Sequence, residues 1–200
     1  MHLKLFLSAF VALFALVNPI HKILVITSLQ SHFSEKELKY ISLKSSLTAL
    51  IILIFFLLLS EMIFNYIFHI QLYAFRIICG VVLIFNGLSG LQKGVLLNID
   101  QNLKLTDVTT VPIAIPMIAG PATITAAVTF PAHYGRLVTI IAIVAALTLN
   151  LLIMLNSKKI GHVLIKYNFM NALIRITGLF VATIGLQMAF DGITNYIQTL

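Results

Sequence analysis

The sequence predicts an all-α fold, a polytopic membrane protein of six transmembrane helices arranged as two inverted three-helix repeats whose first and fourth helices are broken. Three observations carry this expectation. Apolar residues make up 60% of the 200 residues and charged residues only 10%, against roughly 45–50% and 25% in soluble domains. Glycines recur at one spacing in two distant segments. An Asn-Pro and a Gly-Pro pair fall near the centres of two apolar runs.

So few polar side chains cannot solvate the outside of a compact chain, so the surrounding medium is a bilayer. Six apolar segments are predicted at about 5–29, 41–64, 75–96, 111–130, 137–156 and 174–197, each long enough to cross at about 20 residues per span. They fill 1–200 as a single transmembrane domain, leaving no room for a soluble one. The start, Met1-His2-Leu3-Lys4 and an apolar run, resembles a signal peptide, but the run continues through Pro19 to about Leu29 without a small-x-small cleavage site and reads as a retained first span.

The net charge of +7 comes from dispersed Lys and Arg with no basic stripe, which argues against nucleic acid as a partner. Placing the loops after spans one, three and five on one side collects eight lysines, Lys36, Lys39, Lys44, Lys93, Lys104, Lys158, Lys159 and Lys166, against Lys4, Arg76 and Arg136 on the other. By the positive-inside rule both termini are then outside, which in a bacterial inner membrane is the periplasm. The single cysteine, Cys79, rules out an intrachain disulfide and a multi-thiolate metal site, and its apolar run suits a buried thiol.

Gly80, Gly87 and Gly94 of span three reappear 98 positions later as Gly178, Gly185 and Gly192 of span six. With 10 glycines in 200 residues, such a matched triplet arises by chance about 1% of the time, so the chain is read as repeat one (about 1–96) and repeat two (about 111–200). Seven residues are nearly two helical turns, so each triplet lines one face. A face without side chains lets another helix approach closely in lipid, and packing is the expected role of all six. Because each repeat has three spans, the second must enter from the opposite side, as in many secondary transporters with a mid-membrane site between the halves.

The breaks are Ala15-Leu16-Val17-Asn18-Pro19-Ile20 and Pro116-Met117-Ile118-Ala119-Gly120-Pro121-Ala122-Thr123-Ile124. Proline removes a backbone donor and clashes with the preceding turn. Asn and Gly are favoured N-caps and Pro a favoured first helical residue, so new half-helices should start at Pro19 and Pro121. Unpaired backbone groups cannot face hydrocarbon, and helix N-termini attract anions. A small zwitterion suits the free amides at one end and the carbonyls of the unwound turns, with Asn18, at the other. The expected substrate contacts are Asn18, Pro19, Ile20, Gly120, Pro121, Ala122 and Thr123. The alternative is that the kinks serve packing alone. Pro112 and Pro116 are expected to shape the entry to span four, and Pro131 to end it.

Other polar residues at depth are pathway or coupling candidates: His21, Lys22, Thr125, Asn86 and Asn150. Each has a second reading. Lys22 can extend its stem to the inner interface, His21 can hydrogen-bond within the bundle instead of relaying a proton, and Thr125, Asn86, Asn150, Thr183 and Gln187 can serve as interhelical hydrogen-bonding groups. Arg76 and Arg175 are expected to anchor helix ends. Glu61 and Asp191 sit near the outer interface, so no carboxylate lies at mid-depth, and protons or backbone carbonyls must serve any coupling ion. Without paired carboxylates at depth, a nucleophile with its base, a Walker motif or paired histidines, an enzyme, a cofactor and a metal site are not expected.

The stretches Ala12 to Ile20, Val111 to Pro121, Phe75-Arg76-Ile77 and Arg175-Ile176-Thr177-Gly178-Leu179 resemble the MarC family, also called UPF0056, over essentially the whole chain. The resemblance implies a six-span inner-membrane protein and, for some members, transport of small neutral amino acids such as glycine and alanine. The family usually has glycine where this chain has His21, and often where it has Ala122, so both substitutions add bulk beside the expected cavity. The remaining alternative is a membrane assembly or stress factor without transport activity.

Overall fold

The computed structural model describes residues 2–30, 32–67, 69–93, 109–166 and 169–199. The elements are α1 (His2–Val17), α2 (Pro19–Leu29), α3 (Glu35–Glu61) with a π-helical continuation π1 (Met62–Ile67), α4 (Leu72–Lys93), π2 (Thr109–Ile118), α5 (Pro121–Tyr134), α6 (Arg136–Leu155), α7 (Ser157–Lys166) and α8 (Phe169–Ile197). No strand occurs among the described residues.

Among the described residues, five helical stretches are long and apolar enough to cross a bilayer: Leu3–Leu29, Glu35–Ser60, Leu72–Gln92, Arg136–Leu155 and Asn171–Ile197. The first contains the break at Asn18. The fourth predicted span is divided between π2 and α5, because Gly120-Pro121 interrupts it. Large apolar side chains such as Val11, Phe55, Phe85, Leu137 and Phe180 cover the outside of the bundle, the arrangement lipid requires.

Local chemistry sets most boundaries. A capping box starts α3: the Ser34 N–H donates to Glu37 Oε2 at 2.7 Å while the Glu37 N–H donates to Ser34 Oγ at 3.4 Å. This cap carries the helix six residues beyond the predicted start at 41. Pro112 and Pro116 remove two donors from π2, whose wide turns continue to the Ala119 N–H, bonded five residues back to the Ala114 carbonyl at 2.9 Å. Pro131 does not end the fourth span as expected. It lies inside α5, which continues to Tyr134 and stops at Gly135, whose φ of 86° suits glycine. The helix α7 was not expected. It packs on α2 and is tied to α3 by an exposed Lys158–Glu35 ion pair.

Two packing systems build the bundle. In the first, α1 lies on α6, while π2 and α5 lie on α3, around a core that includes Leu13, Ile41, Leu53, Ile113, Ile143 and Met154. In the second, α4 and α8 run antiparallel along their glycine faces. A Cβ at Gly80 would stand 2.5 Å from the Gly185 carbonyl oxygen, and one at Gly178 2.8 Å from that of Gly87. Gly94 lies outside the described residues, as does Lys104. Cys79 is buried.

A side chain at Gly87 must therefore push the backbones apart, since its Cβ would meet the Gly178 carbonyl oxygen at 2.5 Å and the Ala182 nitrogen closer still. Gly87→Leu is expected to lower the unfolding temperature in detergent by roughly 5 °C or more, followed by exposure of Cys79 to a thiol-reactive dye. Phe85→Leu, on the lipid-facing side, should leave it nearly unchanged. Equal unfolding temperatures for the two variants would contradict the close approach.

Candidate functional site

Both breaks form where proline interrupts the chain, but they differ in geometry. Gly120 takes the extended conformation expected of an N-cap, with φ −94° and ψ 177°. Asn18 instead takes the left-handed conformation, φ 52° and ψ 71°, and its side chain makes no capping hydrogen bond. Its N–H closes α1 by donating to the Phe14 and Ala15 carbonyls at 3.2 and 3.1 Å. Asn18 thus acts as the terminator of α1 more than as the cap of α2, a role for which Asn is the best non-glycine residue.

The carbonyls orphaned by the breaks have named partners. The Thr123 hydroxyl accepts from the Gly120 N–H at 2.9 Å and donates to the Ile118 carbonyl at 2.8 Å. Lys22, only 2% exposed, joins the two breaks: its Nζ donates to the Val17 carbonyl and, at 2.6 Å, to the Met117 carbonyl. The ammonium thus lies between the C-terminal ends of α1 and π2. Each such end carries about half a negative charge, so the pair matches one ammonium. Lys22 does not extend to the interface.

The breaks open on one cavity of about 240 Å³ between α2, α4, α5 and α8. Asn18, His21, Lys22, Asn86, Gly120, Pro121, Ala122 and Thr123 all line it. Pro19 and Ile20 start α2 but do not line it. Thr125 faces a second cavity of about 380 Å³ with Arg76, His133 and Asp191; its hydroxyl donates to the Pro121 carbonyl at 2.8 Å. The two cavities share Leu16 and Ala122 as a partition. Asn150 lies apart from the site in the buried face of α6, where its Nδ2 contacts Met154 Sδ at 3.3 Å. Thr183 and Gln187 are exposed, not buried between helices. The Thr183 hydroxyl bonds the Leu179 carbonyl and Gln187 bonds Asp191, each at 2.9 Å.

The sequence did not single out Thr177, which lines the cavity from α8, or the wall made by Gly87, Gly90 and Gly178. Gly87 and Gly178 serve both packing and cavity. The Arg175-Ile176-Thr177-Gly178 run was the available signal.

These features define a class: a polytopic helical membrane protein with two interrupted helices meeting at one cavity whose mostly apolar wall carries Asn18, Lys22, Asn86 and Thr123. The chain belongs to the MarC family of integral membrane proteins, which it matches over residues 3–197. It is 32% identical over 198 residues to a UPF0056 membrane protein of Pyrococcus horikoshii, covering 99% of this chain and 98% of the relative. It is 28% identical to one of Aquifex aeolicus, covering 97% and 94%, and 29% identical to YvbG of Bacillus subtilis, covering 96% and 95%. No solved structure matches the chain.

Thr123 holds the second break by one hydroxyl. Thr123→Val should cost about 1–2 kcal/mol, lowering the unfolding temperature by roughly 3–6 °C, while Thr123→Ser should stay close to the parent. A Val variant as stable as the Ser variant would remove the hydroxyl from this role.

Proposed function

We infer that the protein is a secondary transporter of small neutral amino acids such as glycine and alanine, working in the bacterial inner membrane with both termini on the periplasmic side. The observation that carries this reading is the meeting of two broken helices on one small cavity with a few polar groups in an apolar wall, the arrangement from which alternating-access sites are built. At about 240 Å³ the cavity is below the ~300–1,000 Å³ of pockets for drug-sized ligands, and suits a molecule of few heavy atoms. Amide groups at the start of α5 and the Lys22 Nζ favour the substrate carboxylate. Asn18, Asn86 and Thr123 offer polar contacts to its other end. The protein acts by binding and release, without catalysis of a reaction.

Two halves related by inversion account for alternating access, and the packing supports that relation. Adding 98 to Gly80 and subtracting 98 from Gly185 turns the Gly80–Gly185 contact into the Gly178–Gly87 contact. The contact of Gly80 with the Ala189 nitrogen becomes that of Gly178 with the Leu91 nitrogen. Likewise the packing of α1 on α6 corresponds to that of π2 on α3. The second cavity is then an outer vestibule, parted from the substrate by Leu16 and Ala122.

Uptake of labelled glycine and alanine into proteoliposomes, with and without an imposed proton gradient, tests the reading. Asn18→Leu should abolish protein-dependent uptake while membrane insertion persists, and Ala122→Leu, which thickens the partition, should reduce it by about tenfold or more, the scale of a gating contact. The second reading, a non-transporting assembly or stress factor, is favoured by the internal pairing of the broken carbonyls with Lys22 and Thr123. Flux equal to that of empty liposomes under both conditions selects it.

A further inference from the structure

We propose that the ammonium of Lys22 is a built-in cation, occupying the position that the two interrupted helices create for a positive ion, so that the site takes no metal ion. The proposal concerns the occupant of that position and stands apart from the transport reading; only its consequence for coupling rests on that reading.

Four features of the molecule converge. The carbonyl ends of α1 and π2 point at one place, and Nζ of Lys22 bonds Val17 from one and Met117, at 2.6 Å, from the other. These ends belong to different halves of the chain. Interrupted helices in transporters commonly present such carbonyls to sodium or protons, because half-helix carboxyl ends carry negative partial charge. Lys22 is 2% exposed, and no carboxylate lines the adjoining cavity among the described residues. A bound metal ion at this point would therefore lack a charged ligand and would have to displace the Lys22 Nζ from both carbonyls. Cation and site are supplied by one chain, and Lys22 can answer to the cavity's contents without any ion arriving from solution. In a transporter this leaves protons, not sodium, as the coupling ion.

The position is tested by thermal unfolding in detergent with a thiol-reactive dye on the single cysteine, Cys79, which is buried in the folded protein. Parent and Lys22→Ala are compared in potassium, sodium, methylammonium and choline chloride at equal ionic strength. The parent should be indifferent to the cation. Lys22→Ala should unfold roughly 5–10 °C lower in choline, having two uncovered buried carbonyls, and should recover at least half of that loss, saturably, in methylammonium. Saturable stabilisation of the parent by sodium, or a Lys22→Ala protein no more responsive to methylammonium than to choline, overturns the proposal.

Should Lys22→Ala fail to accumulate, the parent still decides. A membrane-permeant amine-reactive ester should modify Lys22 at least about tenfold more slowly than the exposed Lys36, Lys39 and Lys159, because a bonded ammonium is no nucleophile. Equal rates overturn the proposal. In proteoliposomes, replacing sodium by choline should leave uptake unchanged. Absence of uptake in every salt defeats the transport reading alone, while uptake that requires sodium defeats the built-in cation.

Discussion

A helix interrupted inside a bilayer must find partners for the backbone groups it releases, and here that requirement is met by one buried lysine shared between two interruptions. Lys22 bonds Val17 at the end of α1 and Met117 near the end of π2. Removing it would leave both carbonyls without their side-chain donor, at about 1–3 kcal/mol each. Because the two carbonyls come from segments 100 residues apart, this side chain also fixes how the first and fourth membrane segments meet. Thr123 completes the second break from within its own segment. The first break has no such hydroxyl, and Asn18 closes it by adopting the left-handed conformation.

The rest of the bundle holds these breaks in register. In lipid there is no hydrophobic drive to bring helices together, so association depends on close packing. The glycine faces of α4 and α8 supply it, with backbone atoms where side chains would stand. Gly87 and Gly178 lie in that contact and in the cavity wall, so the packing of α4 on α8 and the shape of the cavity are one constraint. A bulkier residue at either position would both separate the helices and fill the site.

The breaks are legible because Asn-Pro and Gly-Pro act locally as pairs: Asn18 and Gly120 leave the helical conformation and the α-helices resume at Pro19 and Pro121, whereas Pro131, which has no such partner, stays inside α5. Cys79 and the glycine faces were legible for a similar reason, since apolar context and a seven-residue spacing are properties of the chain itself. What Lys22 binds was not legible, because a lysine near a break reaches either the interface or a neighbour, and only the neighbour's position decides. The sequence predicts Asn18 as an N-cap because Asn favours that place, yet the same residue tolerates the left-handed region, and the closure of α1 prevails. Asn150 is buried, as expected, but outside the cavity lining, a distinction that six-segment hydropathy does not contain. The helix α7 is too short and too polar to register in such a profile.

The central claim is that the first break faces a water-accessible cavity and not lipid. Reaction of introduced cysteines with a charged, water-soluble thiol reagent in intact membranes tests it directly. In a background where Cys79 is replaced by serine, Asn18→Cys should react readily and be protected by glycine or alanine. Phe85→Cys, at a position 69% exposed on the lipid-facing side of α4, should not react. Equal inertness of the two positions would contradict the account, since the break would then be closed to water.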